Sequence, residues 1–274
     1  MGKDKIKIGI VGCGAIGSSI SRRIVKDFSD FCLLSSIFDV SIESCEKVVK
    51  ELSLDKSIIK NSLLSLIENC DLMIEAVSSD HTKDIIKQAI EAKRHVLVLS
   101  VGQILSELNL FNLAREKECS LLIPSGAIAG IDAIKAASMG RISSIKHITR
   151  KPVQGFYGNK YIEEKGINLD KLNKEKTIFS GSVLDAIKHF PQNINVAATL
   201  ALASDAVDKI SVEIITSPEF KSNSHQIEVK GEFGRMVTYT DNMVCPDNPK
   251  TSYLAVLSAL QTLKEFCLNE NIGT

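Results

Sequence analysis

Apolar positions follow one rhythm along the first 124 residues and a looser one after them. Lys5-Ile6-Lys7-Ile8-Gly9-Ile10-Val11 alternates and then turns wholly apolar, the pattern of a strand entering a parallel sheet that is covered on both faces. Ile16, Ile20 and Ile24 recur every four residues and predict a helix, after which Leu33-Leu34-Ser35-Ser36-Ile37-Phe38 predicts a second strand ending at Asp39. Glu43 to Leu52 and Ser62 to Ile67 read as helices, and Asp71 to Val77 as the next strand. Ile85, Ile86, Ala89 and Ile90 share one face of a helix that Ser79 or Asp80 can cap. The strand His95 to Leu99, a helix over Leu105 to Lys117 and the strand Ser120 to Ile123 complete the series. This alternation of strand and helix predicts an α/β domain over residues 1–124, with a doubly wound parallel sheet.

The pattern changes over residues 125–250. Pro124-Ser125-Gly126-Ala127-Ile128-Ala129-Gly130 is a loop of small residues leading into a helix through Ser138. Ile142 to Thr149 is strand-like, and the polar, glycine-containing stretch 155–177 reads as a mobile excursion with solvated charges. Phe179-Ser180-Gly181-Ser182 introduces a helix bounded by Pro191, and Asn193-Ile194-Asn195-Val196-Ala197-Ala198 starts another. Ser211 to Ile215, Gln226 to Lys230 and Met236 to Tyr239 predict strands of a mixed or antiparallel sheet, giving a second α+β domain. Asn248-Pro249-Lys250-Thr251-Ser252 reads as the cap of a last helix striped by Leu254, Leu257, Leu260, Leu263 and Phe266. That helix, within 251–274, is expected to pack back on the first domain.

Chemistry enters where the first strand runs into Gly12-Cys13-Gly14-Ala15-Ile16-Gly17. Strand, G-x-G-x-x-G, helix, second strand and an acid about 20 residues on make up the Rossmann-type dinucleotide fingerprint. Gly12 permits the tight turn, Gly14 lets backbone approach a pyrophosphate, and Gly17 lets helix and strand pack closely. The first helical N–H groups, from Ala15 and Ile16 onward, face the phosphates. Asp39 stands where an acid accepts hydrogen bonds from a ribose diol, which favours NAD, while Lys47 or Lys50 leaves NADP open. Ser78-Ser79, Ser100 to Gly102 and the 124–130 loop fall at the same ends of their strands.

Composition narrows the class. The 274 residues carry 33 basic and 33 acidic side chains, so no polyanion-binding surface is indicated and nucleic acid is not a favoured partner. Seven cysteines are scattered without a C-x-x-C pair and read as buried small hydrophobes of a reducing compartment, with no metal site. No apolar run reaches about 18 residues, and the start lacks a signal core, so a cytoplasmic protein with no membrane partner is expected.

A nicotinamide domain needs a partner that brings substrate to the ring and moves a proton. Of five histidines, His81, His95, His147 and His189 sit where structural roles fit. His225, in Asn223-Ser224-His225-Gln226 ahead of a strand, is placed in a loop that can project it into a cleft as acid or base. Lys151 before Pro152, Lys250, Thr251, Ser252 and Arg235 are candidate donors to a substrate, and Asn195 to a carboxamide or as an N-cap.

The glycine loop, the 124–130 loop, Arg150-Lys151-Pro152, Phe190-Pro191-Gln192-Asn193-Ile194-Asn195-Val196-Ala197-Ala198, Asn223-x-His225 and Asn248-Pro249-Lys250-Thr251-Ser252 together resemble the L-aspartate dehydrogenase family, over nearly the whole chain. The resemblance implies oxidation of L-aspartate with NAD or NADP to iminoaspartate, which hydrolyses to oxaloacetate and ammonia or feeds pyridine-nucleotide synthesis. It also implies His225 as the catalytic residue, Asn195 and either Ala127 or Ala129 (here assigned to Ala129) against the cofactor, and a homodimer. One departure is Thr216-Ser217-Pro218, where the family commonly has Ala-Asp-Pro; Ser217 can shape the same turn. Other two-domain dehydrogenases, acting on homoserine, a cyclic imine or an aldehyde, are the alternative, followed by a dinucleotide sensor without turnover.

Overall fold

The apolar opening run forms β1 (Ile6–Val11), followed by α1 (Ala15–Asp27), β2 (Cys32–Phe38), α2 (Ile42–Leu52), α3 (Leu63–Glu68), β3 (Leu72–Glu75), α4 (Thr82–Glu91), β4 (His95–Val98), α5 (Asn109–Glu116) and β5 (Leu121–Leu122). This is a computed structural model, and it describes residues 5–77, 81–190, 194–246, 248–270 and 272–273, with side chains left undescribed at 248–250. The chain divides into two compact units, Met1–Pro124 with Val256–Asn271 and Ser125–Ala255 with Ile272–Thr274.

In the first unit the strands lie in the order β2-β1-β3-β4-β5, every pairing parallel. Ile8, Ile10, Leu72, Met73, Ile74, Val96 and Leu97 are buried, which is why these strands read as near-continuous apolar runs. Each such side chain contributes roughly 1.5–3 kcal/mol on leaving water. Chain order reverses beside β1, between β1 and β3, and in such sheets the carboxyl ends of the strands at that point form the ligand crevice. The Gly12 loop leaves β1 there.

The second unit holds α6 (Ile131–Ala137), β6 (Ile142–Pro152), α7 (Lys160–Glu164), β7 (Lys176–Ser182), α8 (Val183–His189), α9 (Asn195–Ser204), β8 (Ile210–Ser217), β9 (Asn223–Gly231), β10 (Gly234–Asn242), β11 (Val244–Cys245) and β12 (Asn248–Ser252). Its five-stranded sheet has the order β10-β9-β6-β8-β7, with β6 and β8 parallel and the other pairs antiparallel. One face is buried through Ile145, His147, Thr149, Val212, Ile214, His225, Ile227 and Val229.

Several local expectations are corrected. Stretch 155–177 is anchored, with Phe156, Ile162 and Leu169 buried and Asn159 capping α7 through Ile162 N–H. Phe179 to Ser182 belong to β7, and Ser182 caps α8. Asn248 to Ser252 form β12 against β11, a strand the sequence reading did not include, and the last helix, α10 (Tyr253–Leu268), follows it directly. Its buried stripe is Val256, Ala259, Leu260, Leu263 and Cys267, rotated from the expected one, and Leu254 is exposed. From Val256 onward this helix belongs to the first unit, where Phe266 packs 4.8 Å from the His95 ring, centroid to centroid.

Candidate active site

The glycine loop owes its shape to contacts that leave no room for a side chain. Gly12 takes φ +96°, and a Cβ there would lie 2.5 Å from the Ala76 carbonyl oxygen; a Cβ on Gly17 would lie 1.8 Å from the Gly12 carbonyl oxygen. Gly14 differs, because a Cβ there would enter open space. It is also the N-cap of α1, whose start has neither a side-chain cap nor an acidic residue in its first turn. An open approach to uncapped helical N–H groups, at the positive end of a helix, is the donor set that a dinucleotide diphosphate requires. The loop fits that group, with Gly14, Ala15, Ile16 and Gly17 as the residues that would hold it.

Two carboxylates brace this region. Asp39 accepts from Cys13 N–H at 2.6 Å through Oδ2 and from Ser41 N–H at 2.9 Å through Oδ1, so it latches the glycine loop to the end of β2. Glu75, wholly buried at the end of β3, accepts from Val77 N–H and the Ser100 hydroxyl at 2.9 Å through Oε1, and from Ser100 N–H at 3.0 Å and Leu99 N–H at 3.2 Å through Oε2. Burial pushes its carboxyl upward from the ordinary range, and the four donors pull the other way. Nothing in the strand pattern had singled out Glu75. Cys13 lies 3.5 Å from Cys45, Sγ to Sγ, and both are buried free thiols, as Cys32, Cys70, Cys245 and Cys267 also are.

In the second unit β9 begins three residues before its expected start. His225 therefore stands inside the sheet, and the loop placement is corrected: Asn223 to Asn242 pair as one hairpin, so Ser224 and His225 are held by ladder bonds. The register sets His225 between Thr149 of β6 and Thr240 of β10. On β6, His147, Thr149 and Lys151 are two residues apart and share one face. His225 Nδ1 and His147 Nε2 lie 3.2 Å apart in a hydrogen bond, with ring planes inclined by 28°. His147, read as structural from sequence, is thus in direct contact with the candidate catalytic residue. The signal for it was a strand whose inward positions turn polar, His-x-Thr-x-Lys.

Burial holds both imidazoles neutral. It pushes His147 down to about 3 with help from the Lys151 charge, and it lowers His225 well below the ordinary range with help from His147 and Lys151. Burial also brings the Lys151 ammonium down to about 8. Among the described residues, no group of three His, Cys, Asp or Glu is placed to hold a metal ion.

The small-residue loop closes on the same sheet. Thr240 Oγ1 and Asn242 Nδ2 donate to the Ala127 carbonyl at 3.0 and 3.1 Å, and Gly130 packs where a Cβ would meet Thr238 at 2.9 Å. Ala127 is buried and fixed, whereas Ala129 is exposed.

Sequence comparison agrees with this two-part layout. Residues 132–266 match the family described as aspartate dehydrogenase, C-terminal, and residues 12–124 match the homoserine dehydrogenase NAD-binding domain. L-aspartate dehydrogenases of Methanosarcina barkeri and Methanosarcina mazei are 41% and 42% identical, over 98% of this chain and 100% of theirs. This chain belongs to the L-aspartate dehydrogenase family. The aspartate dehydrogenase of Thermotoga maritima shares the family fold with it at a TM-score of 0.70 and 21% identity, over 99% of this chain and 100% of that one. A hyperthermophilic archaeal homoserine dehydrogenase, solved in complex with NADPH, has a TM-score of 0.63 at 13% identity, over 99% of this chain and 100% of that one.

Within this aspartate dehydrogenase family member the remaining candidates separate. Asn195 is exposed and is the first residue of α9, after the Ile194 cap, so the N-cap role falls to Ile194. Ser252 is buried, and its Oγ accepts from Asn223 Nδ2 at 3.3 Å, which sets it beside the strand of His225. Thr251 is half-buried. Arg235 points to solvent and pairs with Glu228 at 2.9 Å. Ser78 lies outside the described residues, as does the side chain of Lys250. Ser217 Oγ accepts from Glu219 N–H at 3.2 Å, so serine forms the local turn bond expected at the Thr216-Ser217-Pro218 departure. His95 Nδ1 accepts from Ser120 N–H at 3.0 Å, and the His189 ring packs 4.5 Å from that of Tyr161, both structural roles.

Proposed function

We propose that this protein oxidises L-aspartate to iminoaspartate with NAD or NADP, using His225 as the base. The observation that carries this assignment is the position of His225, a buried imidazole that the register sets opposite Thr149 on the sheet face it shares with Lys151. An amino acid releases hydride only from a neutral amine, so a base must take a proton from the substrate nitrogen, and a neutral imidazole suits that task. Lys151 supplies a positive charge for a substrate carboxylate, with Lys250, Thr251 and Ser252 as further donors. NAD or NADP, when bound, supplies the hydride acceptor. Gly12, Gly14, Ala15, Ile16, Gly17, Asp39 and Ser78 are assigned to the dinucleotide, joined by Ala129 and Asn195, both exposed. The exposure of Ala129, against the anchored carbonyl of Ala127, favours Ala129 for that contact.

We further propose a cytoplasmic homodimer. The outer face of the mixed sheet supports it, since Val237 is 45% and Tyr239 58% exposed on β10. No helix among the described residues is long and apolar enough to cross a membrane.

The test is a steady-state assay with L-aspartate, homoserine, a cyclic imine and an aldehyde, following cofactor reduction or oxidation. Turnover with aspartate is expected. Turnover with one of the others alone would replace the substrate, and binding of NAD without turnover of any would leave a dinucleotide sensor. A second expectation concerns Asp39, which both latches Cys13 and is assigned to the ribose. Asp39→Ala is expected to weaken both cofactors through the loosened loop and to weaken NAD about 10-fold more than NADP, the scale of one hydrogen bond to a charged group. Equilibrium titration with each dinucleotide measures this, and equal losses would restrict Asp39 to the latch.

A further inference from the structure

Histidine can act as a base at Nε2 only in the tautomer that carries its proton on Nδ1, and in a buried site that proton needs an acceptor. The atom that faces Nδ1 of His225 is Nε2 of His147, 3.2 Å away on the neighbouring strand, with His147 1% and His225 3% exposed. We propose that His147 is a positioning residue that accepts the Nδ1 proton of His225 and so fixes the tautomer whose Nε2 lone pair faces the reaction. This rests on the reading of His225 as base.

The contact carries one proton between two nitrogens, and the direction in which it is held decides what His225 can do. If His147 donates, His225 presents an N–H at Nε2 and has no lone pair for the substrate. If His225 donates, its Nε2 is free and His147 holds its own proton on Nδ1 without an acceptor; if His147 donates, the same Nδ1 is an unpaired lone pair, so this atom is the unsatisfied one in either direction. Burial and the nearby Lys151 charge keep His147 from becoming a double donor. When His225 takes the substrate proton, the N–H bond at the substrate breaks and one forms at Nε2; the Nδ1–H stays in place and becomes a charge-assisted donor to neutral His147. The proton later leaves from Nε2 to water, which restores the neutral pair.

The His147 ring has little else to do. Its Nδ1 has no hydrogen-bond partner among the described residues, although it is buried. A histidine kept for stability would have both nitrogens satisfied, because an unpaired buried polar atom is costly. Here one nitrogen is left unpaired, and the other is aimed at the base.

The experiment uses the full chain labelled with 15N-histidine, with long-range proton–nitrogen correlation spectra recorded without and with NAD, beside steady-state kinetics of aspartate oxidation. Wild-type His225 is expected as the Nδ1–H tautomer. In His147→Leu the Nε2–H form should gain population and kcat should fall about 10- to 100-fold, the usual cost of removing a residue that orients another, with dinucleotide affinity and KM for aspartate unchanged. His147→Gln offers a carbonyl acceptor and should recover most of kcat. An Nε2–H tautomer in the wild type, or wild-type kcat in His147→Leu, overturns the proposal. Should His147→Leu not fold, the wild-type spectrum and the Gln variant decide. Should His225→Ala retain turnover, the base reading falls by itself, while the spectrum still reports who donates within the pair.

Discussion

His225→Ala is expected to lower kcat for aspartate oxidation by about 10²-fold or more, the range for loss of a general base, while NAD and NADP affinities stay as they were. The two halves of this expectation come from different units of the chain, because the glycine loop and Asp39 belong to the first unit and His225 to the second. Removal of a buried ring from β9 also leaves a cavity beside Thr149 and Thr240. Thermal unfolding of the variant therefore belongs with the kinetics, so that lost base function is separated from lost structure. His225→Gln fills more of the space and lacks a titrating nitrogen; it should be as slow as the alanine variant and more stable. Turnover that survives in both would exclude His225 as the base.

Gly17→Ala is expected to abolish measurable dinucleotide binding and to lower stability by more than the roughly 1–3 kcal/mol usual for an overpacked site. The added methyl would meet the Gly12 carbonyl oxygen at 1.8 Å, and that oxygen is backbone, unable to swing aside as a side chain can. Gly14→Ala provides the contrast. Its methyl meets nothing within 4 Å, so unfolding should stay near the wild-type temperature while dinucleotide affinity falls, because the space it fills is the approach to the α1 N-terminus. Calorimetric unfolding and titration with NAD, run on both variants, measure the two effects. Equal behaviour of the two would contradict the separate roles given to these glycines.

Legibility in the sequence followed locality. The glycine loop and its flanking strands were readable because fingerprint, turn and helix start lie within a few residues of one another, and the buried parallel strands were readable because both faces are apolar. His225 was read as a loop residue because polar side chains at Asn223, Ser224 and His225 hid the strand that its partners Asn242, Asp241 and Thr240 impose across the hairpin. Asn248 to Ser252 carry Asn, Pro, Thr and Ser, which suit a helix start, and that composition hid their pairing with Val244 and Cys245. The contact of His147 with His225 spans 78 positions, and no local pattern carries such a distance. Residue identity told which side chains were capable of chemistry; register told which of them meet.

The position of Glu75 has a consequence for how this chain tolerates change. A single acid gathers donors from the segment after β3 and from the segment after β4, so the two crossovers do not vary separately: a substitution that shifts either segment strips the shared acceptor of part of its set and leaves the other to readjust. Glutamine, nearly the same shape, would turn an amide toward groups that already donate. Ancestral drift or engineering at this end of the sheet must therefore move both segments in concert, with the acid as their common fixed point.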